Sequence, residues 1–243
     1  MLNLQGKWAL VTGASRGVGY QISLLMAKQG CNLILHSRNL EHTQRVEREV
    51  RALGVEAYSI QADLASEAEV SGMLDEIESR GTQVDVIFND AAIQVGYRQD
   101  YWKTPISDFD ISFRINLVAI AMICYRLMPG MVARGFGRVI NTTSGIADQP
   151  EQAAYSASKA ALDKFTRDLG VKVEGTDVCI NLTDPGWCRT DLGGPHAPNS
   201  VESCVPGIVV GAFINDRKSG RLLPAQAFTG MSLEEAVALA ETM

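Results

Sequence analysis

Short apolar runs alternate with amphipathic stretches along almost the whole chain. The first run, "WALVT" (8–12), precedes a helix-like stretch at 17–29. The other strand-like runs are 32–36, 56–60, 84–88, 137–143, 177–183 and 220–224, and the other helix-like stretches are 40–53, 66–80, 107–134, 153–173, 201–214 and 232–243. Near-continuous apolar strands are typical of a parallel sheet covered on both faces. The pattern predicts an α/β fold, a doubly wound parallel sheet of about seven strands with right-handed crossovers.

The domain organisation predicted from the sequence is a single unit spanning 1–243. No linker, repeat or low-complexity stretch interrupts it, and 243 residues with 46% hydrophobic content suffice for one core. The irregular loops 92–106 and 184–200 follow strand ends, where ligands bind in such sheets. Two glycines and two prolines at 193–198 favour a lid, placed at 184–205. Residues 225–243 are predicted to form a C-terminal tail.

Composition narrows the function classes. A formal net charge of −6 disfavours a nucleic-acid partner, whose affinity would come from phosphate contacts. Five cysteines without CxxC spacing indicate reduced thiols in a cytoplasmic protein, and three scattered histidines indicate no metal site. The sequence has neither an unbroken apolar run of about 18 residues nor a signal peptide, so we expect no membrane association.

A glycine-rich turn, "TGASRGVG" (12–19), lies between the first predicted strand and the first predicted helix. Gly13, Gly17 and Gly19 permit a tight turn and the close approach of an anion. The helix that follows directs free N–H groups and its dipole at a pyrophosphate. Such a turn also serves plain packing, but its place in a βαβ unit favours dinucleotide binding.

The end of the second strand bears on which dinucleotide binds. An NAD-preferring site usually has a carboxylate there, but this chain has Ser37 and Arg38, and Arg16 lies in the glycine turn. Cations and hydroxyl donors suit an adenosine 2′-phosphate. These residues predict NADP(H); the alternative is that both arginines are ordinary surface residues.

Tyr155 and Lys159 are four residues apart on a predicted helix, so their Cβ atoms lie about 5–6 Å apart on one face. A free phenol has a pKa of about 10. A nearby ammonium and an oxidised nicotinamide ring would lower that pKa and allow acid/base catalysis near neutral pH. By itself the YxxxK pair is a weak signal, because most such pairs are exposed surface residues.

Several motifs in one order make the signal specific. They are "TGASRGVG" at 12–19, "ADL" at 62–64, "NDAA" at 89–92, Asn116 in "FRINLVA", "YSASK" at 155–159 and "PGWCRT" at 185–190. In this order the chain resembles the short-chain dehydrogenase/reductase family over nearly its whole length. The resemblance implies a Rossmann-type fold with helices on both faces. It also implies hydride transfer between the nicotinamide and a carbonyl carbon, coupled to proton transfer through Tyr155.

The resemblance also implies roles for four catalytic residues. Ser144 would hydrogen-bond the substrate oxygen, and Tyr155 would exchange the proton with it. Lys159 would hold the nicotinamide ribose and depress the pKa of Tyr155. Asn116 would hold a water in a proton relay, through a local distortion of its helix.

The cofactor-binding positions follow from the same motifs. The full set is Gly13, Ser15, Arg16, Gly17, Val18, Gly19, Ser37, Arg38, Asp63, Leu64, Asn89, Ala91, Tyr155, Lys159, Pro185, Gly186 and Thr190. The resemblance implies that the pair at 63–64 flanks the adenine, and that Asn89 and Ala91 line the cofactor cleft. Pro185, Gly186 and Thr190 would pass along the nicotinamide.

Two ways of counting disagree on the hydroxyl that works with Tyr155. Counting back by the family's more common spacing selects Thr142, and counting forward from Asn141 selects Ser144. Strand alternation separates only Thr143, which lies on the opposite face. We favour Ser144, because it lies at the strand's carboxyl end, whereas β-branched Thr142 suits a strand interior. The loop between serine and tyrosine is then short.

Two further departures concern the segment after the fourth strand and the C-terminus. The family's usual "NNAG" is "NDAA" here, so Asp90 loses two donors and any positive φ at Ala92 would be strained. The last strand lacks the common "DGG" ending, which leaves subunit contacts and specificity open. A homodimer or homotetramer is expected from the resemblance.

Substrate selection is predicted to involve aromatic side chains in the two irregular loops. Tyr97, Tyr101, Trp102 and Trp187 offer apolar walls for a ketone or aldehyde, or else pin these loops to the core. The favoured function is an NADP(H)-dependent oxidoreductase of carbonyl-reductase type, acting on a small molecule. The alternatives are a 3-oxoacyl-thioester (acyl-carrier-protein) reductase and a non-catalytic NADP-sensing protein.

Overall fold

The computed structural model describes residues 1–243 and contains one seven-stranded parallel sheet. Its strands are β1 (Trp8–Val11), β2 (Asn32–Ser37), β3 (Ala57–Gln61), β4 (Val84–Asn89), β5 (Gly137–Thr142), β6 (Val178–Asp184) and β7 (Leu222–Pro224). They lie in the order β3-β2-β1-β4-β5-β6-β7, and every pair is parallel. The predicted doubly wound sheet is confirmed. The strand order reverses direction between β1 and β4, which is where such sheets bind ligands.

Eight α-helices cover the two faces of the sheet. They are α1 (Gly17–Lys28), α2 (Gln44–Arg51), α3 (Glu67–Ser79), α4 (Ile106–Phe113), α5 (Ala119–Arg134), α6 (Ala153–Lys172), α7 (Gly207–Phe213) and α8 (Leu233–Ala240). Helices α1, α2, α7 and α8 pack over one core, and α3, α5 and α6 pack over the other. In β2, Leu33 and Leu35 enter the first core and Ile34 enters the second. This two-sided burial explains why the strands contain hydrophobic residues at consecutive positions.

The segment predicted as one long helix at 107–134 is divided in the structure. A π-helical turn at Arg114–Val118 separates α4 from α5. Taken together, Ile106–Arg134 is long and apolar enough to cross a membrane, since its most apolar 18-residue window has a mean hydropathy of 1.7. The sequence analysis did not identify this segment, because it considered only unbroken apolar runs. Side chains such as Ile120 and Ile123 are nevertheless buried in the second core, as in the core helix of an α/β protein.

The C-terminal tail is part of the fold rather than an appendage. Helix α8 begins at a capping box, in which Ser232 and Glu235 each bond the other's backbone N–H. Phe228 and Val237 are buried in the first core. Helix α7 is shorter than predicted, because Pro206 separates it from a 3₁₀ turn at Val201–Cys204.

Candidate active site

The glycine turn after β1 has the conformation that its sequence requires. Gly13 and Gly17 have φ of +71° and +57°, in the left-handed region that favours glycine. A Cβ at Gly19 would lie 2.3 Å from the carbonyl oxygen of Gly13, so only glycine allows this approach. Helix α1 begins at Gly17 with no side-chain cap and no acidic residue in its first turn. Amide groups at this helix start therefore remain available to an anion.

The segment after β4 is tied to the glycine turn through Thr12. The hydroxyl of Thr12 accepts hydrogen bonds from the backbone N–H groups of Asp90 and Ala91, at 3.0 and 3.1 Å. Ala91 lies against Gly13, since a Cβ at Gly13 would be 3.0 Å from the Cα of Ala91. Asp148 and Arg217 are the non-glycine residues with positive φ, so Ala92 replaces the usual glycine without backbone strain.

His36, which the sequence analysis did not select, connects the glycine turn to the end of β3. The Gly13 N–H donates to Nδ1 of His36 at 3.4 Å, so Nε2 carries the proton and donates to the Ala62 carbonyl at 3.1 Å. Burial lowers the pKa of His36 to about 4. The ring is therefore neutral in the folded protein at neutral pH.

His36 predicts a loss of stability in acid. The unfolded chain takes up a proton near pH 6.5, but the folded protein resists protonation until about pH 4, so stability falls across this window as pH falls. The shift corresponds to about 3 kcal/mol at full loss. Urea unfolding at a series of pH values should show a smaller acid-dependent decrease for His36→Asn, while exposed His196→Asn should behave as wild type. Equal pH dependence in all three proteins would contradict the assignment.

The three residues predicted to bind an adenosine 2′-phosphate have separate surroundings in the structure. Arg16 forms an ion pair with Asp191 in the predicted lid at 3.0 Å, and both side chains are mostly exposed. Ser37 is buried and donates its hydroxyl proton to the Asn39 carbonyl at 2.6 Å. Arg38 is exposed. No carboxylate follows β2 directly, because Ser37, Arg38 and Asn39 occupy these positions.

The side chain of Asn89 is directed into the sheet and is 1% exposed, so the backbone is the part of this residue that faces the end of β4. Its Nδ2 donates to Oδ1 of Asn141 at 2.8 Å, and Nδ2 of Asn141 donates to the hydroxyl of Thr166 at 2.8 Å. This chain of hydrogen bonds ties β4 to β5 and α6. Leu64 is likewise buried in the second core, while half-buried Asp63 accepts a hydrogen bond from the Ala65 N–H at 2.9 Å.

The structure brings Ser144, Tyr155 and Lys159 together at the carboxyl end of β5. Tyr155 lies in the first turn of α6, with the Ser144 hydroxyl near enough to the phenol to lower its pKa. Lys159 lies one turn further along α6, with Nζ 5.9 Å from the centre of the Tyr155 ring. The ammonium donates to the Thr142 carbonyl at 2.7 Å. The two helical residues thus face the serine-bearing loop.

The other two hydroxyls have partners elsewhere. Thr142 donates to the carboxylate of Asp90 at 2.9 Å, and Thr143 donates to the carboxylate of Asp163 on α6. Ser144 is half-buried, and its oxygen accepts the Ile146 N–H at 3.3 Å. Of the three, Ser144 is the hydroxyl that meets Tyr155.

Asn116 occupies the π-helical turn, which is the local distortion that the resemblance implied. Its Oδ1 accepts the Ile93 N–H at 2.9 Å, and its Nδ2 donates to the Ile93 carbonyl at 2.9 Å. Nδ2 also donates to Ser158 at 2.9 Å, and Ser158 donates to the Tyr155 carbonyl at 2.7 Å. In this arrangement, Asn116 links the loop after β4 to the start of α6.

In the protein without a cofactor, the pKa of Tyr155 is raised. Burial raises the pKa of Tyr155, the hydrogen bond from Ser144 opposes the rise, and the charges of Asp184 and Asp90 add to it. Burial also lowers the pKa of Lys159 to about 8, against the charges of Asp90, Asp163 and Asp184. A bound oxidised nicotinamide would add a positive charge near the phenol and oppose this rise.

Carboxylates near the lysine were not selected from the sequence. Burial raises the pKa of Asp90 to about 6, against the hydrogen bond from Thr142 and the charge of Lys159. Asp163 and Asp184 reach the site from α6 and the end of β6. Asp163 lies one helical turn after Lys159, a spacing that could have revealed it, whereas no short spacing joins Asp184 to "YSASK".

The aromatic residues of the irregular loops remain exposed. Trp102 is 83% exposed and stacks on Tyr101, with ring centres 4.6 Å apart. Tyr97 is 57% exposed, and the backbone N–H of Arg98 after it donates to the Glu151 carbonyl at 3.0 Å, which joins the loop after β4 to the loop before α6. Trp187 is 60% exposed and donates its Nε1–H to the Gly193 carbonyl at 2.7 Å. None of them pins a loop into the core.

The predicted lid crosses the glycine turn. A methyl carbon of Thr190 lies 3.3 Å from the Cβ that Gly17 lacks, which places Thr190 over the start of α1. Gly186 has φ of +73° and approaches Gln226, whose amide donates to the Pro185 carbonyl at 2.7 Å. Thr190 therefore lies over the glycine turn, while Pro185 and Gly186 lie against Gln226.

Comparison with known proteins identifies the family. The sequence model of the family described as short chain dehydrogenase matches residues 7–200. The chain belongs to the short-chain dehydrogenase/reductase family. It is an oxidoreductase of the kind that acts on CH–OH and C=O groups.

The relatives include a general short-chain dehydrogenase/reductase and a 3-oxoacyl thioester reductase. A short-chain type dehydrogenase/reductase of Picea abies is 32% identical over 202 residues, which are 78% of this chain and 73% of that protein. A 3-oxoacyl-[acyl-carrier-protein] reductase of Staphylococcus epidermidis is 32% identical over 194 residues, 76% of this chain and 77% of that protein.

Two solved structures hold different cofactors. A NAD⁺-bound xylitol dehydrogenase matches 92% of this chain and 98% of its own, at 25% identity and a TM-score of 0.81. A metagenomic short-chain oxidoreductase in complex with NADP matches 76% of this chain and 84% of its own, at 29% identity and a TM-score of 0.71.

The site fits a nicotinamide dinucleotide. The uncapped start of α1 offers amide groups to a pyrophosphate. Because Gly13 and Gly17 have no side chains, Ala91 and Thr190 lie close to the backbone of the glycine turn. These residues would hold the cofactor between the glycine turn and the lid. Tyr155 and Lys159 would adjoin its nicotinamide half, as the family's motif implies.

Proposed function

We propose that the protein is an NADP(H)-dependent oxidoreductase that interconverts a small ketone or aldehyde and an alcohol. The observation that carries this proposal is the meeting of Ser144, Tyr155 and Lys159 at the strand ends beside an open glycine turn. A bound nicotinamide supplies or accepts the hydride. Ser144 and Tyr155 hold the substrate oxygen, and Tyr155 exchanges the proton with it.

The position of Lys159 supports its role beside Tyr155. Its ammonium is buried and anchored on the Thr142 carbonyl, so its place relative to the phenol is fixed. The carboxylates around it favour its charged form. A fixed cation near the phenol stabilises the phenolate when the tyrosine has given its proton to the substrate.

The cofactor proposal rests on the charges near the end of β2. Arg16, Ser37 and Arg38 offer two cations and a hydroxyl to a 2′-phosphate, and no acidic residue competes at 37–39. Arg16 must leave its exposed ion pair with Asp191, which costs little because such pairs contribute at most about 1 kcal/mol.

We expect kcat/KM to be higher with NADPH than with NADH, by roughly 10- to 100-fold if one charge-assisted hydrogen bond is gained. Arg38→Asp should reduce or reverse this preference, because it removes a cation and adds a charge that repels phosphate. Arg48→Asp, on the exposed face of α2, is the matched control and should keep the preference. A wild-type preference for NADH would overturn the cofactor proposal.

The substrate class is proposed as a simple carbonyl compound, with 3-oxoacyl thioesters as the second candidate. The second candidate is supported by the Staphylococcus epidermidis relative at 32% identity. The first is supported by exposed Tyr97, Trp102 and Trp187, whose faces suit a compact apolar ketone or aldehyde. Oxidation of NADPH in the presence of ketones, aldehydes, sugars and 3-oxoacyl thioesters would separate them. Tight NADPH binding without turnover on any substrate would favour a non-catalytic, NADP-sensing role.

We further propose a cytoplasmic homodimer or homotetramer. Its five cysteines are all free and buried, which suits a reducing compartment. Tyr125 on α5 and Val171 on α6 are 65% and 71% exposed, and burying them would stabilise a contact between copies. Light scattering after size-exclusion chromatography tests the assembly.

A further inference from the structure

Asp184, the last residue of β6, joins two loops at the proposed active site. Its Oδ2 accepts the N–H of Gly145 at 2.9 Å, and its Oδ1 accepts the N–H of Gly186 at 2.8 Å. Each carboxylate oxygen therefore holds one backbone donor. Gly145 follows Ser144 directly, and Gly186 begins the lid after Pro185. One side chain thus fixes the serine loop to the start of the lid.

Both glycines are needed for this contact. A Cβ at Gly145 would lie 2.8 Å from Oδ2 of Asp184, so a larger residue would displace the carboxylate. Gly186 has φ of +73°, and this backbone turn directs its N–H at Oδ1. Glycine at both positions therefore allows Asp184 to accept the two backbone N–H groups.

We propose that Asp184 is a positioning residue that holds the Ser144 loop against the lid and sets the charge facing Tyr155 and Lys159. The proposal rests on the carbonyl–alcohol function proposed above. Asp184 is not one of the four residues that the family resemblance assigns to catalysis, and it acts through Ser144, Tyr155 and Lys159 rather than on the substrate.

The charge effect follows from the groups that surround Tyr155 and Lys159. Tyr155 faces the carboxylates of Asp184 and Asp90 and the hydroxyl of Ser144. Lys159 faces Asp90, Asp184 and also Asp163, which bonds Thr143. Asp184 and Asp90 raise the pKa of both residues, whereas Asp163 acts on the lysine. Of these carboxylates, Asp184 is the one that also holds the serine loop.

Removing the charge of Asp184 should shift the pH profile in a definite direction. Asp184→Asn lowers the pKa of Tyr155 because a nearby negative charge disappears, and it lowers the pKa of Lys159 for the same reason. Carbonyl reduction needs the protonated phenol. The rate of carbonyl reduction should therefore begin to fall at a lower alkaline pH in the variant than in the wild type.

The positioning effect should appear in kcat. Asparagine has one acceptor oxygen, so Asp184→Asn loses one of the two backbone hydrogen bonds and turns an N–H₂ group towards a donor. We expect kcat to fall roughly 10- to 100-fold, as small displacements of catalytic groups do, while the Kd for NADPH changes little. Asp163→Asn is the control, because it removes a half-buried carboxylate that faces Lys159 and bonds Thr143, but does not hold the N–H of Gly145.

Asp184→Glu separates the two effects. It keeps the negative charge but moves the carboxylate, so kcat should fall while the titration of Tyr155 stays close to that of the wild type. If Asp184→Asn does not fold, Asp184→Glu still tests the positioning effect. The titration is measured without substrate, by ultraviolet difference spectroscopy of tyrosinate, with the matching Tyr155→Phe protein subtracted from each variant.

The expected results are a lowered Tyr155 pKa in Asp184→Asn, an unchanged one in Asp163→Asn, and a greater loss of kcat in Asp184→Asn than in the control. A Tyr155 titration in Asp184→Asn equal to the wild type would overturn the charge effect. A loss of kcat no larger than that of Asp163→Asn would overturn the positioning effect. Absence of wild-type turnover on every carbonyl substrate would instead refute the proposed function, and the titration would still test Asp184.

Discussion

Replacing Tyr155 by phenylalanine is expected to lower kcat for carbonyl reduction by roughly 10²–10⁴-fold, which brings turnover close to the limit of detection. The ring of Tyr155 is 7% exposed, so phenylalanine keeps its packing. Only the hydroxyl that meets Ser144 is lost, and with it the group that exchanges the proton with the substrate oxygen. Steady-state oxidation of NADPH on the best substrate of the panel measures the effect.

NADPH binding and fold stability provide the controls for this variant. The Kd measured by fluorescence titration should change little, because Lys159 and the glycine turn are intact. Tyr125→Phe is the matched substitution, since Tyr125 is 65% exposed on α5 and lies outside the site. Turnover by Tyr155→Phe within a few-fold of that by Tyr125→Phe would refute the proton-transfer role.

The sheet was predictable because each of its strands is buried on both faces. A strand such as β2, which contributes Leu33 and Leu35 to one core and Ile34 to the other, has the unbroken apolar run that identifies it. Regular alternation with helices then fixes the class of topology. All seven predicted strands are present, and their ends differ from the predicted ones by one or two residues.

Interruptions within the helices were less predictable. Hydrophobic periodicity continues through Arg114–Val118, where the backbone makes a π-helical turn around Asn116. That turn is stabilised by hydrogen bonds to Ile93 and Ser158, which are distant in sequence. Periodicity records which face is buried and carries little information on the hydrogen-bond pattern of the backbone.

The parts of the site that could be predicted lie within short motifs. Tyr155 and Lys159 are one helical turn apart, and Gly13, Gly17 and Gly19 lie in one turn, so local spacing is sufficient to bring each set together. Residues that act across strand ends were missed. Asp184 meets Gly145, and His36 meets Gly13, only because parallel strands place their carboxyl ends at the same edge.

Two features of the site could not be read from the sequence. The amide of Asn89 is directed into the sheet, where it donates to Asn141. Burial and two carboxylates raise the pKa of Tyr155 in the protein without a cofactor. Composition and spacing do not reveal the direction of a side chain or the desolvation of a phenol.

The second large effect is expected at the hydroxyl beside Tyr155. Ser144→Ala should lower kcat by roughly 10²–10³-fold, the usual cost of removing one donor that stabilises developing negative charge on an oxygen. Ser144 is the one of the three hydroxyls that meets Tyr155, since Thr142 bonds Asp90 and Thr143 bonds Asp163. The variant should bind NADPH normally, because Ser144 is not among the residues predicted to bind the cofactor.

Thr142→Val provides the contrast that decides between the two ways of counting along "NTTSG". Valine has the shape of threonine but loses the hydrogen bond to Asp90, so it perturbs a buried neighbour of Lys159 without removing the group at Tyr155. We therefore expect the loss of kcat to be much smaller in Thr142→Val than in Ser144→Ala, measured with the same substrate and saturating NADPH. The reverse order would transfer the catalytic role to Thr142. Ser144 would then be only a loop residue, because its contact with the phenol would have no consequence for the reaction.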